Sequence, residues 1–232
     1  MKRWSCSARP WRRNSTSTAN RCAAPWIGSL LGLLSLLLLP ASGCVQMAAA
    51  WANITGGDKI PAEYTLTKGP LLVFIDAADS APIEQHAVRQ LHKTISDAFL
   101  ESGANRRVVP FENWQALQQS AKGYNRLSIR EIGEKLGADQ VLYLRVDRFV
   151  LEDEPNSPLY KGECVVRIKV LSTEGKHDVR LWPREEKGMR VSAGTDPIAK
   201  DGGKSSGDIA KELATKTGDV VAKLFYEYRE LE

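Results

Sequence analysis

Residues 142–147 read Leu142-Tyr143-Leu144-Arg145-Val146-Asp147, and residues 163–170 read Glu163-Cys164-Val165-Val166-Arg167-Ile168-Lys169-Val170. In both segments buried-type apolar side chains fall on every second position, and this period of two places one face of a strand in the core and the other in water. Residues 152–158, which are acidic and contain two prolines, connect the segments. We therefore predict two long antiparallel strands.

An apolar run lies upstream of these strands. Leu71-Leu72-Val73-Phe74-Ile75 is bounded by turn-forming and charged residues, which is typical of a strand buried on both faces. Apolar residues then recur every three or four positions over 83–99, and this period predicts a helix that Gly103 ends. Val108, Val109 and Phe111 predict a short second strand.

The remaining elements follow from caps and turns. Ser128-Ile129-Arg130-Glu131 has the form of a capping box, and Gly137 ends the helix that it begins. A third long-range strand is predicted around 179–182, an exposed loop over 193–207 and a last helix over 209–228. The order predicts an α/β fold, a βαβαβββα sandwich with a mixed sheet of about four to five strands and two to three packed helices.

The N-terminus has the order of an export signal. The first 43 residues carry six basic and no acidic side chains, and they include an apolar run of 13 residues that ends at Leu39. A membrane-spanning helix takes about 20 residues, so a secretory signal fits this run better than a permanent span.

The run leads into Leu39-Pro40-Ala41-Ser42-Gly43-Cys44, which resembles the lipobox of bacterial lipoproteins. The resemblance implies that the Cys44 thiol receives a diacylglyceryl group and that cleavage precedes Cys44. An ordinary signal peptide with a cysteine nearby is the alternative. We thus predict a signal peptide over 1–43, a lipidated N-terminus and tether over 44–68, and a single α/β domain over 69–232.

Charge and cysteine content narrow the possible functions. Of the 32 basic residues six belong to the signal, which leaves 26 against 28 acidic residues and a net charge of −2. Composition therefore gives no support to nucleic-acid binding, which needs a field of cationic side chains. Cys6 and Cys22 leave with the signal and Cys44 is acylated, so Cys164 cannot form an intramolecular disulfide and is predicted to be a small buried residue.

Two segments carry a family resemblance. Residues 108–119 and the Gly-Ala-Asp corner within 132–142 resemble a group of envelope domains, and Thr173-Glu174-Gly175 followed by Leu181-Trp182 is similar to the last hairpin of that group. The group includes the curli-secretion lipoprotein CsgG, the penicillin-binding-protein activator LpoB, the exopolysaccharide lipoprotein PelC and the N-terminal domain of the translocation protein TolB. These motifs determine packing and corners, so the resemblance implies a fold and no chemistry.

We identify no catalytic residue, no cofactor site and no metal site. His86 and His92 are six residues apart on one helix, so they face different directions and are assigned, with the turn residue His177, to the surface. Asp76 and Asp79 follow a strand, where α/β folds often bind ligands, but capping and turn roles explain them more simply.

Two other features have ordinary structural explanations. Residues 202–207 contain glycine, lysine and serine but lack the spacing of a phosphate-binding loop. Trp114, Trp182 and the pair Tyr226 and Tyr228 could contact a partner, and each also lies where the period predicts a core position or amphipathic cover.

These observations favour a non-enzymatic adaptor or assembly subunit, held to the membrane by its lipid anchor and binding an envelope protein or a second copy of itself. Because Val45 and not aspartate follows Cys44, the enterobacterial sorting rule implies the outer membrane, with the domain facing the periplasm. An auxiliary lipoprotein of a lipid or solute transport system is the alternative. A hydrolase is a third hypothesis, and it requires catalytic roles for Asp76 and Asp79.

Overall fold

A computed structural model describes residues 59–78, 81–152, 154, 156–175 and 179–230 of the chain. The predicted signal peptide, Cys44 and residues 44–58 of the predicted tether lie outside the described residues, as do Asp79 and His177.

The described residues form four α-helices: α1 Gln85–Ser102, α2 Phe111–Ser120, α3 Ile129–Lys135 and α4 Ser206–Lys223. A 3₁₀ turn, Tyr124–Arg126, lies between α2 and α3. Gly103, with a φ of 72°, ends α1 in the left-handed conformation that glycine adopts without strain. Capping boxes begin α3 at Ser128 and α4 at Ser205, so the predicted cap at Ser128 is confirmed.

The strands are β1 Lys59–Ile60, β2 Leu71–Ala77, β3 Gln140–Val150, β4 Leu159–Tyr160, β5 Glu163–Ser172, β6 Val179–Trp182, β7 Met189–Gly194, β8 Ile198–Ala199 and β9 Tyr228–Arg229. Five of them form the main sheet in the order β2-β3-β5-β6, and β7 pairs with the other half of β5. β2 and β3 are parallel, and the other pairs of this sheet are antiparallel. β1 pairs with β9 and β4 pairs with β8 in two small antiparallel sheets.

Helices cover the two faces of the main sheet unequally. On one face α1 and α4 pack together, and the buried Cys164 of β5 contacts Thr217 of α4. On the opposite face the ring of Phe74 on β2 lies 5.2 Å from that of Trp114 on α2, and α3 closes on Val141 of β3. The layer formed by α1 and α4 extends across the sheet. The layer formed by α2 and α3 covers only its β2 side.

The core lies between the sheet and the first layer. Its largest fully buried side chains include Leu91, Ile95, Leu142, Leu144, Ile168 and Leu213. Burying an aliphatic side chain of this size stabilises a fold by about 1.5 to 3 kcal/mol, so this layer provides most of the hydrophobic stabilisation.

The mixed α/β fold class is confirmed, and one predicted strand is corrected. Residues 108–111 do not form a full strand, because only Val108 bridges Leu71. Leu71 donates to the carbonyl of Arg107 at 2.9 Å and accepts from Val109 at 2.8 Å, after which Pro110 caps α2. Proline has no N–H for a ladder and its fixed φ suits the start of a helix, so the pairing stops there.

Two other segments are more ordered than the sequence indicated. The predicted loop over 193–207 contains the end of β7, all of β8 and the start of α4. Within the predicted tether, residues 59–60 form β1, and Leu66 is 2% exposed in the core. These elements are short and alternate only weakly between apolar and polar residues, so the periodicity of the sequence does not predict them.

Candidate functional site

The two described histidines have different environments. His86 is exposed, and its Nδ1 lies 3.0 Å from Oε2 of Glu84. His92 is only 4% exposed and its ring centroid lies 5.4 Å from that of Phe111, so the assignment of His92 to the surface is wrong. Burial lowers the pKa of His92 to about 4, which keeps the imidazole neutral at pH 7. No cluster of three or more metal-ligating side chains occurs among the described residues.

Asp76 lies at the end of β2, as predicted, in a cavity of about 500 Å³ between β2, α1 and α2. Tyr143 of β3 donates its hydroxyl to Oδ2 of Asp76 at 2.6 Å. Burial and this hydrogen bond raise the pKa of Tyr143, so Tyr143 keeps its proton. Since Asp79 lies outside the described residues, a catalytic pair of carboxylates stays a hypothesis.

The aromatic residues that could contact a partner have internal neighbours. Trp114 is 6% exposed, and its Nε1 donates to the hydroxyl of Tyr124 at 2.8 Å. The ring of Trp182 lies 5.6 Å from that of Phe225, and the rings of Tyr226 and Tyr228 are 6.5 Å apart. The core interpretation of Trp114 is thus confirmed.

The predicted buried role of Cys164 is confirmed, because its side chain is 0% exposed and burial raises its thiol pKa to about 11. The glycine and lysine segment is likewise structural. Lys204 Nζ lies 2.8 Å from Oε2 of Glu212, and Ser205 caps α4.

A larger candidate site lies where the second layer of helices ends. Outward side chains of β3, β5 and β7 are uncovered there, and Arg145 and Arg167 are 49% and 37% exposed. We call this surface the outer face and define it by Arg145, Asp147, Arg148, Arg167, Lys169 and Arg190. The strand register places these residues on one side of the sheet, because directly paired residues share a face.

A β-bulge concentrates charge on the outer face. Val146 pairs with Val166 and Arg148 pairs with Val165, so Asp147 is an extra residue on β3. A bulge places two residues opposite one, so Asp147 and Arg148 both line the outer face although they are adjacent in sequence.

Asp147 organises the arginines around it. Arg167 donates to both oxygens of Asp147, with an Nη2 to Oδ1 distance of 2.8 Å, and Arg145 Nε lies 3.8 Å from Oδ1. This fork geometry fixes the guanidinium more firmly than a single contact does. Arg148 Nε lies 2.8 Å from Oε2 of Glu163.

The remaining cations of the outer face lack counter-charges. Lys169 and Arg190 form no ion pair with a described residue. Together with the loop Glu185-Glu186-Lys187 that borders them, the outer-face strands carry six cationic side chains against the four carboxylates of Asp147, Glu163, Glu185 and Glu186. This excess contrasts with the net charge of −2 calculated for residues 44–232.

A second cavity, of about 780 Å³, opens on the outer face over Val165, Arg167 and Arg190. The loop Glu185-Glu186-Lys187-Gly188 forms its rim. Gly188 has a φ of 84°, and a Cβ there would lie 2.8 Å from the carbonyl oxygen of Ile168, so only glycine lets the rim approach β5 this closely.

The alternation of the sequence predicts Arg145, Asp147, Arg167 and Lys169 on the solvent sides of two strands, but it assigns no place to Arg148 or Arg190 and does not reveal the site. One signal was present. The apolar positions Val146 and Phe149 are three residues apart, whereas an uninterrupted strand keeps them an even number apart, and such a phase break indicates a bulge.

Solved structures of bacterial lipoproteins are among those to which the chain is similar. The chain is similar to the lipoprotein GNA1162 from Neisseria meningitidis, at 14% identity over 66% of this chain and 97% of that one, with a TM-score of 0.38. It is also similar to PelC from Paraburkholderia phytofirmans, whose structure is a dodecamer, at 13% identity over 73% and 96% with a TM-score of 0.35. The C-terminal domain of LpoB from Salmonella enterica matches at 15% identity over 58% and 87%, with a TM-score of 0.34.

PelC and LpoB belong to the group that the sequence resembles, so that resemblance is confirmed. No protein-family model and no curated protein sequence matches the chain. At these identities and TM-scores the structural likeness does not extend to function. None of the described helices is long and apolar enough to cross a membrane.

Proposed function

We propose that this protein is a lipid-anchored envelope lipoprotein that acts as a non-enzymatic adaptor and binds an acidic protein partner in the periplasm through the outer face. The observation that carries this proposal is the excess of cationic over acidic side chains on the outer face, six against four with its rim loop, on a domain that is otherwise slightly acidic. The lipobox-like segment that ends at Cys44 supports the anchor.

The composition of the outer face suits protein recognition. Four of its five cations are arginines, which are enriched at protein interfaces because a planar guanidinium can bind carboxylates through two hydrogen bonds. Arg167 and Arg145 are already oriented by Asp147, so less side-chain entropy is lost on binding. Electrostatic attraction would also draw an acidic protein surface to the outer face, and added salt shortens the range of this attraction.

The strand positions make the outer face a rigid platform. β5 is hydrogen-bonded on both edges, to β3 along one side and to β6 and β7 along the other. Its outward Val165 is 2% exposed and forms an apolar floor among the arginines. A buried apolar centre with a charged rim is the usual anatomy of a protein interface.

Site-specific photo-crosslinking in intact envelopes tests the proposal. A photoreactive amino acid replaces Ser192, which is exposed and pairs with Val165, and in a second variant it replaces the exposed Lys93 of α1. We expect the variant at position 192 to give a specific crosslinked product whose yield falls as salt is added. The variant at position 93 should give none.

Charge reversal provides the matched comparison. Arg167→Glu with Arg190→Glu should abolish the product from Ser192, because four units of charge on the outer face change. Lys122→Glu with Lys211→Glu changes the net charge equally at exposed positions elsewhere and should leave the product intact. Equal crosslinking by both double variants, or a product of twice the monomer mass, would contradict an acidic partner at the outer face.

No specific observation favours the transport alternative. It predicts a largely apolar groove for lipid, whereas the two cavities discussed above, at Asp76 and on the outer face, both contain charged side chains.

A further inference from the structure

We propose that the cavity at Asp76 is a binding site for an organic cation, an ammonium or guanidinium group held between aromatic rings and one carboxylate. This site lies at the β2 side of the sheet, bounded by α1, α2 and the 3₁₀ turn, and it shares no lining residue with the outer-face cavity. The proposal is therefore independent of the partner proposed for the outer face.

Aromatic rings form one side of the cavity. Phe74 and Trp114 lie with ring centroids 5.2 Å apart, and Tyr124 is held against Trp114 by the 2.8 Å hydrogen bond from Nε1. Tyr143 stacks on Phe74 with ring centroids 6.0 Å apart. The π faces of such rings attract cations, and the attraction grows when water is excluded.

Asp76 is the single charged side chain among the described residues that line the cavity. The other polar lining residues are the amides Gln85, Gln115, Gln118 and Asn125. The oxygen of Gln115 already accepts from Arg89 at 3.1 Å, so the acceptors offered to a ligand are the amide oxygens of Gln85, Gln118 and Asn125. A lining with one negative charge and several amide oxygens, whose dipoles can turn toward a cation, suits a ligand that carries one positive charge.

The carboxylate of Asp76 is oriented but not neutralised. Tyr143 holds Oδ2, and none of the ion pairs between described residues includes Asp76. Arg145 pairs with Asp76 in the strand register, yet its guanidinium lies near Asp147, with Nε 3.8 Å from Oδ1. A partly buried carboxylate without a counter-charge is costly, so a bound cation would relieve that cost.

Both tyrosine hydroxyls respond to this charge. Burial is the main cause that raises the pKa of Tyr124, and the carboxylate of Asp76 adds to it. Tyr124, which lines the cavity, and Tyr143, which holds Asp76 from behind Phe74, thus remain protonated and neutral. The cavity volume of about 500 Å³ falls within the usual range for small-ligand sites, about 300 to 1,000 Å³.

Choline and its neutral isostere 3,3-dimethyl-1-butanol test the proposal directly, because they share shape and differ in charge. Titration of the full-length protein in detergent by calorimetry should show binding of choline at least about tenfold tighter than binding of the alcohol, a preference that charge alone produces. Equal binding of the two probes, or no binding of choline at millimolar concentration, would overturn the proposal.

Two variants assign the effect to the cavity. Asp76→Asn keeps the shape of the side chain and should remove the preference for choline, while Tyr143→Phe, which releases Oδ2, should weaken choline binding several-fold. Asp97→Asn, an exposed carboxylate of α1, is the matched control and should bind as the wild type does. Thermal unfolding of each variant shows whether the fold is intact, and an unchanged preference in folded Asp76→Asn would contradict the proposal.

The same cationic chemistry can come from a free amine or from a side chain of a partner protein. N-acetyl-lysine amide and a short lysine-containing peptide separate these sources. Binding of the peptide well above that of the single residue assigns the cavity to a protein side chain, and comparable binding of choline and the single residue assigns it to a small amine. Arg167→Glu with Arg190→Glu should leave all of these affinities unchanged, so failure of the outer-face proposal would be recognised separately.

Discussion

A single buried imidazole links this fold to pH. His92 lies on α1 beside Phe111, and its folded-state pKa of about 4 is below the value of 6.5 for an unperturbed histidine. The unfolded chain therefore binds a proton as the pH falls below about 6.5, while the folded chain does not until about pH 4. The difference in proton binding at His92 therefore has little effect at neutral pH and destabilises the fold in acid.

We predict that the free energy of unfolding decreases between pH 6.5 and pH 4 by up to about 3 kcal/mol through His92 alone. His92→Leu should flatten this part of the stability profile, measured by urea unfolding at several pH values. His86→Gln, which changes the exposed histidine of the same helix, should leave the profile unaltered. A parallel profile in His92→Leu would show that the imidazole is not the titrating group.

Asp147 shows what the identity of a residue alone does not predict. Its carboxylate was expected on the wet side of a strand, and it is there, but the bulge that brings Arg148 to the same side depends on strand pairing over a separation of about twenty residues. The same holds for His92. The sequence predicts its position on α1, but its burial depends on Phe111, which the sequence predicts to lie in a strand.

At the scale of elements, the strongly periodic segments were predictable. The alternation over β3 and β5 and the helical period over α1 lie in long segments with one buried face, so local pattern and tertiary environment agree. The outcome differs at 108–111, where Pro110 ends the ladder and α2 begins, and at β7, whose six residues have a single buried apolar side chain, Val191. Neither outcome is determined by the local sequence, because each depends on the neighbouring element.

The contact between α1 and α4 depends on a glycine. A Cβ on Gly218 would lie 2.8 Å from Cβ and 2.9 Å from Cγ2 of Thr94, and threonine is a stiff β-branched residue that cannot rotate away. Gly207, in the first turn of the same helix, would place a Cβ no closer than 3.7 Å from any other group.

We predict opposite effects for two glycine-to-alanine changes in α4. Gly207→Ala should stabilise the domain by roughly 0.5 to 1 kcal/mol through helix propensity. Gly218→Ala gains the same propensity but forces the helices apart, and overpacking of about 1 to 3 kcal/mol should make it destabilising overall. Thermal unfolding of both variants measures the difference, and equal shifts would argue against close packing at Gly218.

For the whole molecule, the anchor and the domain should be separable. Two or more acyl chains make membrane attachment stable where one does not, at about 0.8 kcal/mol per buried CH₂. The domain core includes residues from Leu66 onward, more than twenty positions beyond Cys44, so its stability does not require the lipid.

Cys44→Ser should therefore lose labelling by a palmitate analogue and either remain unprocessed or leave the membrane fraction, while urea unfolding of its domain stays unchanged. A change of Cys164, the buried cysteine of β5, to alanine is the control and should retain both label and membrane attachment. Label that persists in Cys44→Ser, or that is missing from the wild type, would refute the anchor.

The burial of Cys164 makes its thiol an internal reporter of local unfolding. If Cys44 is acylated and the signal is removed, the mature chain has one free thiol, and that thiol is hidden from solvent with a pKa of about 11. A thiol-reactive dye can then reach it only when β5 separates from α4, so the labelling rate under native conditions follows the equilibrium population of the open form, and equals the rate of opening where the dye reacts faster than the domain recloses. Local opening of the lipidated protein could thus be followed in its own membrane without any added probe site. A partner or ligand that stabilises the domain would slow the labelling of Cys164.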